Sequence, residues 1–463
     1  MIQRSGAAPV RSTGISTAIV VGGGLAGLAA ALRLAENGVR VQVFETRPKL
    51  GGRATSFDDT RTGSRIDNCQ HVALGCCTSY RAFLQRVGIE HLLRWYSTTH
   101  WLEPGGRHSA TGPGPLPAPL HGAFSLLAAK FLPLRDRLAI GHAMLLALLE
   151  DRAQLPPAPF SQWLDRAEQS EAARQRFWQP LIISACNLPI DRVDQAVALH
   201  VVQEGLLASR WSSAVGVPAV PLTDLYAPVQ RRIEACDGSV RVGESVRRVA
   251  ADRIETRNGT THRADRVICA VPFERVASLF DESELREDAA LKGLAQLEHS
   301  PILGVHLTFD RPVLQLAQAV LIDQGTQWLF RKDTDGRVLH AVISAAEDWM
   351  AMDEPAIVTR VLHDIRTCIP GAAQAEPIAV RAVKERRATF APTPASRALR
   401  PGTVTRSGVL LAGCYVDTGW PSTMEGAVRS GEMAAAVAMG LPPQQFLQPP
   451  LKAGRMVRLL SAS

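Results

Sequence analysis

No two of the eight cysteines in this 463-residue chain are spaced as C-x-x-C, and none joins histidines at zinc spacing. A local dithiol redox motif and a zinc ribbon are thereby excluded, and thiols at 69, 76, 77, 186, 236, 269, 368 and 414 suit a reducing cytoplasm. No apolar run reaches the ~18 residues that a membrane-spanning helix needs. Aromatic residues are only 5%, and no run of five Lys/Arg occurs, so nucleic acid is not an expected partner. Lysine is scarce: of 51 basic residues six are Lys, at 49, 130, 292, 332, 384 and 452, so Arg carries the net charge of +7. That excess is read first as a codon bias, with attraction to anionic lipid or to a diphosphate as the functional alternative. Residues 1–16 carry Arg4 and Arg11 without an acid, but they lack the apolar stretch of a signal peptide and read as a disordered tail.

What is present is a globular composition, 46% hydrophobic and 21% charged, in a chain long enough for two lobes. Thr17–Val21 reads as a buried strand, Gly22-Gly-Gly-Leu-Ala-Gly27 as a turn, Leu28–Asn37 as a helix closed by Gly38, and Val39–Glu45 as a second strand. Strand chemistry returns at 239–243, 245–249 and 253–257, with a hairpin turn at Asn258-Gly259, and again at 266–271, 302–309 and 407–413. Pro421–Met439 reads as a helix with Pro421 at its first position. Between these segments lie a Gly/Pro-rich loop at 105–119, an apolar helical run at 120–150 and a charged helix at 160–176. The fold class is therefore α/β. A discontinuous nucleotide-binding domain spans 17–100, 226–275 and 400–445. A mixed α+β lobe is inserted at 101–225 and 276–399, and 446–463 forms a C-terminal tail.

Gly22, Gly24 and Gly27 form G-x-G-x-x-G between a strand and a helix. Here a first glycine permits the turn, a second admits a pyrophosphate and a third lets helix and strand pack. Glu45 ends the second strand, placed to accept from ribose hydroxyls, and an acid there argues against a 2′-phosphate. No second such motif follows a strand, so no nicotinamide site is read and the electron donor stays unassigned. Arg47 and Gly51-Gly52-Arg53-Ala54 follow, with two glycines and a cationic fork suited to a diphosphate.

Taken together, these residues resemble the flavin amine oxidase and phytoene desaturase superfamily, a Rossmann-like fold with FAD as cofactor. Asp67-Asn-Cys-Gln-His71 and Asp417-Thr-Gly-Trp-Pro421 resemble the branch of bacterial hydroxysqualene dehydroxylases, with Cys69 where that branch prefers Gly. The resemblance implies FAD contacts from Gly22, Gly24, Leu25, Ala26, Gly27, Glu45, Arg47, Gly52 and Arg53. It adds Gln70, Val246, Gly413, Thr423, Met424 and Glu425, with Val246 at the adenine. The amides at the start of the C-terminal helix would face the flavin N1–C2=O edge and favour an anionic reduced form. Cys414 stands where the family often has Asp, which predicts a weakened cofactor contact.

The activity implied is reduction of hydroxysqualene to squalene in hopanoid synthesis, with a polyisoprenoid lipid as substrate. Such a reaction needs an acid for the leaving hydroxyl, and Asp417 and His71 are the candidates. His71 reads equally as a satisfied structural histidine. A carotenoid-type desaturase, an amine oxidase with Tyr415 and Trp420 as an aromatic cage, and a non-enzymatic flavin scaffold are the alternatives. Leu120–Leu149, apolar with interspersed Lys130, Arg135 and Arg137, is either an interfacial helix giving peripheral membrane contact or a buried core pair. In the first case Phe124, Leu127 and Phe131 insert.

Overall fold

Thr17–Val21 is apolar without alternation, as a strand buried on both faces requires. It forms β1, the centre of a five-stranded parallel sheet. The computed structural model describes residues 14–61, 63–454 and 457–458. The sheet is ordered Ser239–Val242, β2 (Arg40–Glu45), β1, Arg266–Cys269, Leu410–Leu411, so three distant parts of the chain build it. Parallel neighbours need crossovers, and α1 (Leu25–Glu36) supplies the first. It begins three residues earlier than the apolar pattern suggested, because the glycine turn runs straight into it. Helix Met424–Ala438 lies against α1, and a Cβ on Gly431 would stand 2.1 Å from the Ala26 carbonyl. Small residues at that crossing are what let the two helices lie side by side.

The inserted lobe centres on a seven-stranded sheet, ordered 377–390, 299–309, 338–344, 328–331, 318–321, 99–102, 108–111. Thr99–Leu102 belongs to it, so the boundary expected after residue 100 falls inside a strand. One face of this sheet carries Leu303, Val305, Leu339 and Ala341 into a core with helix Glu354–Cys368. Alternation then turns Ile302, Phe330 and Val342 to the other face, toward the first lobe.

Three expectations change. The run 120–150 is not one helix: α3 (Ala123–Leu127) ends before Pro133, and α4 (Leu134–Leu149) starts after it. The C-terminal helix starts at Met424 rather than Pro421, because the extended Thr423 accepts from the Gly426 amide at 3.1 Å and caps it. The last part of the chain is not wholly a tail: Phe446 is buried under the Arg33 guanidinium, and Leu451 packs on the core. Most of the expected N-terminal tail, residues 1–13, and residues 455–456 and 459–463 lie outside the described residues.

Candidate functional site

The turn after β1 is shaped by what a side chain would strike. Gly22 has φ +114°, and a Cβ there would meet the Ala270 carbonyl at 2.6 Å. A Cβ on Gly27 would lie 1.9 Å from the Gly22 carbonyl. Gly24 differs: its Cβ position faces open space, with only the Gly52 Cα at 3.7 Å. Gly24 and Gly51 are bridged as parallel strands, and the Gly51 amide donates to Gly23 at 2.9 Å. Gly24 is also the N-cap of α1 and offers no side-chain acceptor, so the Leu25 and Ala26 amides are free for a ligand. A cradle between two glycine segments, closed by an uncapped helix end, fits a diphosphate.

Glu45 is buried at the edge of this cradle. Its oxygens accept from the Gly23 amide at 2.7 Å and the Arg47 amide at 2.8 Å. A carboxylate has about four lone-pair sites, so two bonds leave room for ribose hydroxyls. Arg47 is exposed and donates to the Gly52 carbonyl at 3.0 Å, which braces the second glycine segment. The Gly243 and Glu244 amides bond the carbonyls of Arg47 and Glu45, and these bring the strand that starts at Val246 against the end of β2.

Arg53 spans the lobes. It donates to the Ala388 carbonyl at 3.1 Å and to the Cys414 sulfur at 2.9 Å, and that sulfur lies 3.0 Å from the Ser422 hydroxyl. A carboxylate in place of the thiol would receive a charge-assisted bond and the Ser422 hydroxyl. Cys414→Asp should therefore raise the melting temperature of the FAD-loaded protein and slow FAD release. Faster release would mean the pocket is built around the thiol.

Between the lobes lies a cavity of about 430 Å³. Leu74, Phe177, Trp328, Phe330 and Val342 are among the side chains that line it, with Gln70, Thr423 and Met424 at the nucleotide-domain side. Leu120, Leu126 and Met144, from α3, α4 and the turn before them, complete the wall. Glu425 also borders the cavity, but its carboxylate accepts from the Ser79 and Tyr80 amides at 3.1 and 2.7 Å, capping α2 (Thr78–Arg86). Burial raises its pKa, opposed by those amides. The Gly413 amide is spent on the Ser430 hydroxyl at 2.8 Å.

The two acid candidates are not brought together. Asp417 is exposed, 63% for its side chain, and bonds the Gly419 amide; it is not a lining residue of the cavity and cannot serve as its acid. The reason is local: Asp417 and Gly419 close a surface turn ahead of the capped helix. His71 is part-buried, with Nδ1 at 3.1 Å from the Cys69 carbonyl, and burial lowers its pKa. A neutral ring that donates Nδ1–H to that carbonyl has only an acceptor at Nε2. Tyr415 is a core residue against Phe273, so it makes no aromatic cage with the cavity-lining Trp420.

Four residues escaped the motif reading: His200, His306, His340 and Lys332. For His306 and His340 a signal was there, as histidines within the largely apolar strands His299–Phe309 and Val338–Ser344, whereas His200 ends the helix Gln195–His200 and Lys332 follows the strand Trp328–Arg331. His306 and His340 stack at 3.8 Å, and His306 Nε2 lies 2.9 Å from the Asp67 carbonyl. Burial pushes His306 down to about 4 and His200, aided by Arg152, Arg429 and Arg400, down to about 3. His340 is lowered well below its usual value, again chiefly by burial. These rings are neutral when folded and protonate in the unfolded chain below about pH 6.5. The unfolded state then binds more protons, so stability is full above about pH 6.5 and falls as pH drops toward 4 and 3. The melting temperature should fall between about pH 6.5 and 4, and His200→Phe should make that fall shallower. A flat profile over that window would contradict the burial argument.

A sequence profile described as flavin containing amine oxidoreductase matches residues 25–439. A hydroxysqualene dehydroxylase of Rhodopseudomonas palustris is 29% identical over 456 residues, covering 91% of this chain and 98% of that relative. A zeta-carotene desaturase of Synechocystis is 24% identical, covering 90% and 96%. Among solved structures, an oxidoreductase from Methanosarcina mazei superposes with a TM-score of 0.69 at 18% identity, over 90% of this chain and 98% of that one. That likeness is one of fold.

Proposed function

The chain belongs to the flavin containing amine oxidoreductase family, and from that membership we propose that it reduces hydroxysqualene to squalene. It is an FAD-dependent oxidoreductase with a Rossmann-like cofactor domain. The observation that carries the substrate reading is the apolar cavity, bounded by Gln70 and Met424 on one side and by α3 and α4 on another. The Gly22–Gly27 turn and Gly52 would hold the diphosphate, Glu45 the ribose, and the Met424 end of its helix the flavin. Reduced FAD, when bound, supplies a hydride equivalent to carbon. The protein's part is to seat a polyisoprenoid chain against Trp328, Phe330 and Val342 and to exclude water, which would recapture an allylic cation. The curated similarity to a dehydroxylase supports this reading over the desaturase one, with 29% against 24% identity.

Delivery of such a substrate points to a membrane surface. No helix among the described residues is long and apolar enough to cross a membrane. Yet α3 and α4, whose inner residues line the cavity, expose Phe124 at 55%, Leu134 at 60%, Leu138 at 59% and Leu149 at 54%. Lys130 and Arg135 are exposed beside them. An apolar stripe flanked by cations suits peripheral docking on anionic lipid.

The direction of electron flow tests the reaction. Pre-reduced enzyme mixed anaerobically with hydroxysqualene should regain the oxidised flavin spectrum in one turnover and form squalene. Oxidised enzyme should stay oxidised with phytoene or a polyamine. Bleaching with phytoene, together with indifference to hydroxysqualene, would replace this function with a desaturase.

A further inference from the structure

The isoprene units of a polyisoprenoid are alike, so an apolar cavity by itself would hold the chain in any of several registers. A hydroxyl on the chain sets the register where the wall offers it a polar partner that is not already bonded. Several polar groups on this wall are spent. Ser125 bonds the Gly112 and Gly122 carbonyls, and Ser184 accepts from Trp328 Nε1 and donates to the Pro180 carbonyl. Glu204 is paired with Arg152, and Glu425 accepts from the Ser79 and Tyr80 amides. Among the described residues, the buried side-chain nitrogens and oxygens of the wall that have no hydrogen-bond partner are the Tyr80 hydroxyl, Nδ1 of His121 and both ring nitrogens of His200.

The three side chains differ. His121 stands in the turn before α3, and its ring already has a backbone hydrogen bond to Leu206, which leaves one nitrogen. Tyr80 belongs to α2, and its ring is part of the core around β1 and α1. His200 is 5% exposed, neither of its nitrogens is bonded, and its ring meets the Trp420 ring edge to face at 4.6 Å. Trp420, Thr423 and Met424 line the same wall and lead into the helix end assigned to the flavin. His200 closes the helix Gln195–His200, and the chain runs on as a π-helix, Val201–Leu207, a wide turn of a kind that recurs at functional sites. His200, Val201, Glu204 and Gly205 all line the cavity. Burial, with Arg152, Arg429 and Arg400 around the ring, keeps it neutral. A neutral imidazole offers one N–H donor and one acceptor, the complement of a hydroxyl, which both accepts and donates. Both nitrogens are covered, but the outer torsion of histidine is soft, and a modest turn of the ring presents either one to the cavity.

We propose that His200 is the hydroxyl anchor of the cavity: its ring hydrogen-bonds the alcohol of the bound polyisoprenoid and so fixes which carbon of the chain lies at the Trp420–Met424 end. This deepens the dehydroxylase reading and rests on it. The role is one of binding and register, and no proton transfer is asked of the ring. Discrimination follows from the same geometry. The alcohol pairs one of the two nitrogens, whereas a hydrocarbon of the same length leaves both unpaired, so the anchor favours hydroxysqualene over the squalene it becomes.

The test uses FAD-loaded enzyme and two ligands, hydroxysqualene and squalene, the second without a hydroxyl. His200→Phe keeps a planar ring against Trp420 and removes both nitrogens. It should retain flavin and melt no lower than the parent at neutral pH, because two unpaired buried polar atoms are gone. Its affinity for hydroxysqualene should fall ~10–100-fold, as the loss of one hydrogen bond in a dry site implies, while that for squalene holds. His200→Gln, with a donor and an acceptor, should recover part of the loss. Should His200→Phe fail to load FAD, His200→Leu carries the same comparison. Equal weakening of both ligands would make His200 a packing residue and overturn the proposal. So would parent-like affinity for hydroxysqualene in His200→Phe, whether or not Tyr80→Phe or His121→Leu shows the loss in its place. A parent enzyme that ignores hydroxysqualene would instead overturn the function on which the proposal rests.

Discussion

Gly24→Val should give a folded protein with no flavin absorbance, even after reconstitution with excess FAD. Gly24 has φ −79° and ψ 177°, an extended conformation that a β-branched residue adopts without strain. A Cβ there touches nothing closer than the Gly52 Cα at 3.7 Å, so the apoprotein has room for it. The room it takes is the cradle itself, and the backbone amides can no longer approach a pyrophosphate. Gly27→Val provides the contrast. Its Cβ would stand 1.9 Å from the Gly22 carbonyl, so strand and helix must separate and the fold should fail along with the cofactor site. Circular dichroism and a flavin spectrum on both variants separate the two glycines' tasks. Retention of FAD by Gly24→Val would place the diphosphate elsewhere.

Phe131→Ser should destabilise the protein by about 3–5 kcal/mol, the usual cost of deleting a buried aromatic ring. Phe131 is 1% exposed and stacks on Trp101 at 4.8 Å, in the break between α3 and α4. It is thus a core residue and not one of the inserting side chains that the apolar run suggested. The double change Phe124→Ser with Leu138→Ser should have the opposite profile. Both residues are more than half exposed, so the melting temperature should hold. Binding to anionic liposomes should weaken by about two orders of magnitude if each residue contributes ~1.5 kcal/mol of interfacial burial. Added salt should weaken the parent's binding further through Lys130 and Arg135. A double variant that floats with liposomes as the parent does would remove α3 and α4 from the membrane contact.

Much of this molecule was legible in the residues because its chemistry is local. The strand, glycine turn, helix and acid of 17–45 lie within one βαβ unit, where spacing along the chain is spacing in space. Glu45 reached its place at the cradle because a two-residue period and a strand end put it there. The exposed apolar stripe was half legible. Hydropathy marked 120–149 as apolar, but only packing could sort Phe131, against Trp101, from Phe124, in solvent. The acid candidates show the limit most clearly. Asp417 sits in a motif, yet a carboxylate's role depends on which side of a turn it leaves, and the turn before Thr423 sends it outward. Lys332 sits in no motif. Its meeting with Asp67 and Gln70 joins residues more than 250 positions apart, through the register of an antiparallel sheet and the docking of two lobes. The sequence by itself determined the cofactor domain, because backbone shape there follows from adjacent residue types. The tertiary structure decided which side chains line the cavity between the lobes, because that wall is assembled from distant strands and helices that local chemistry cannot bring together.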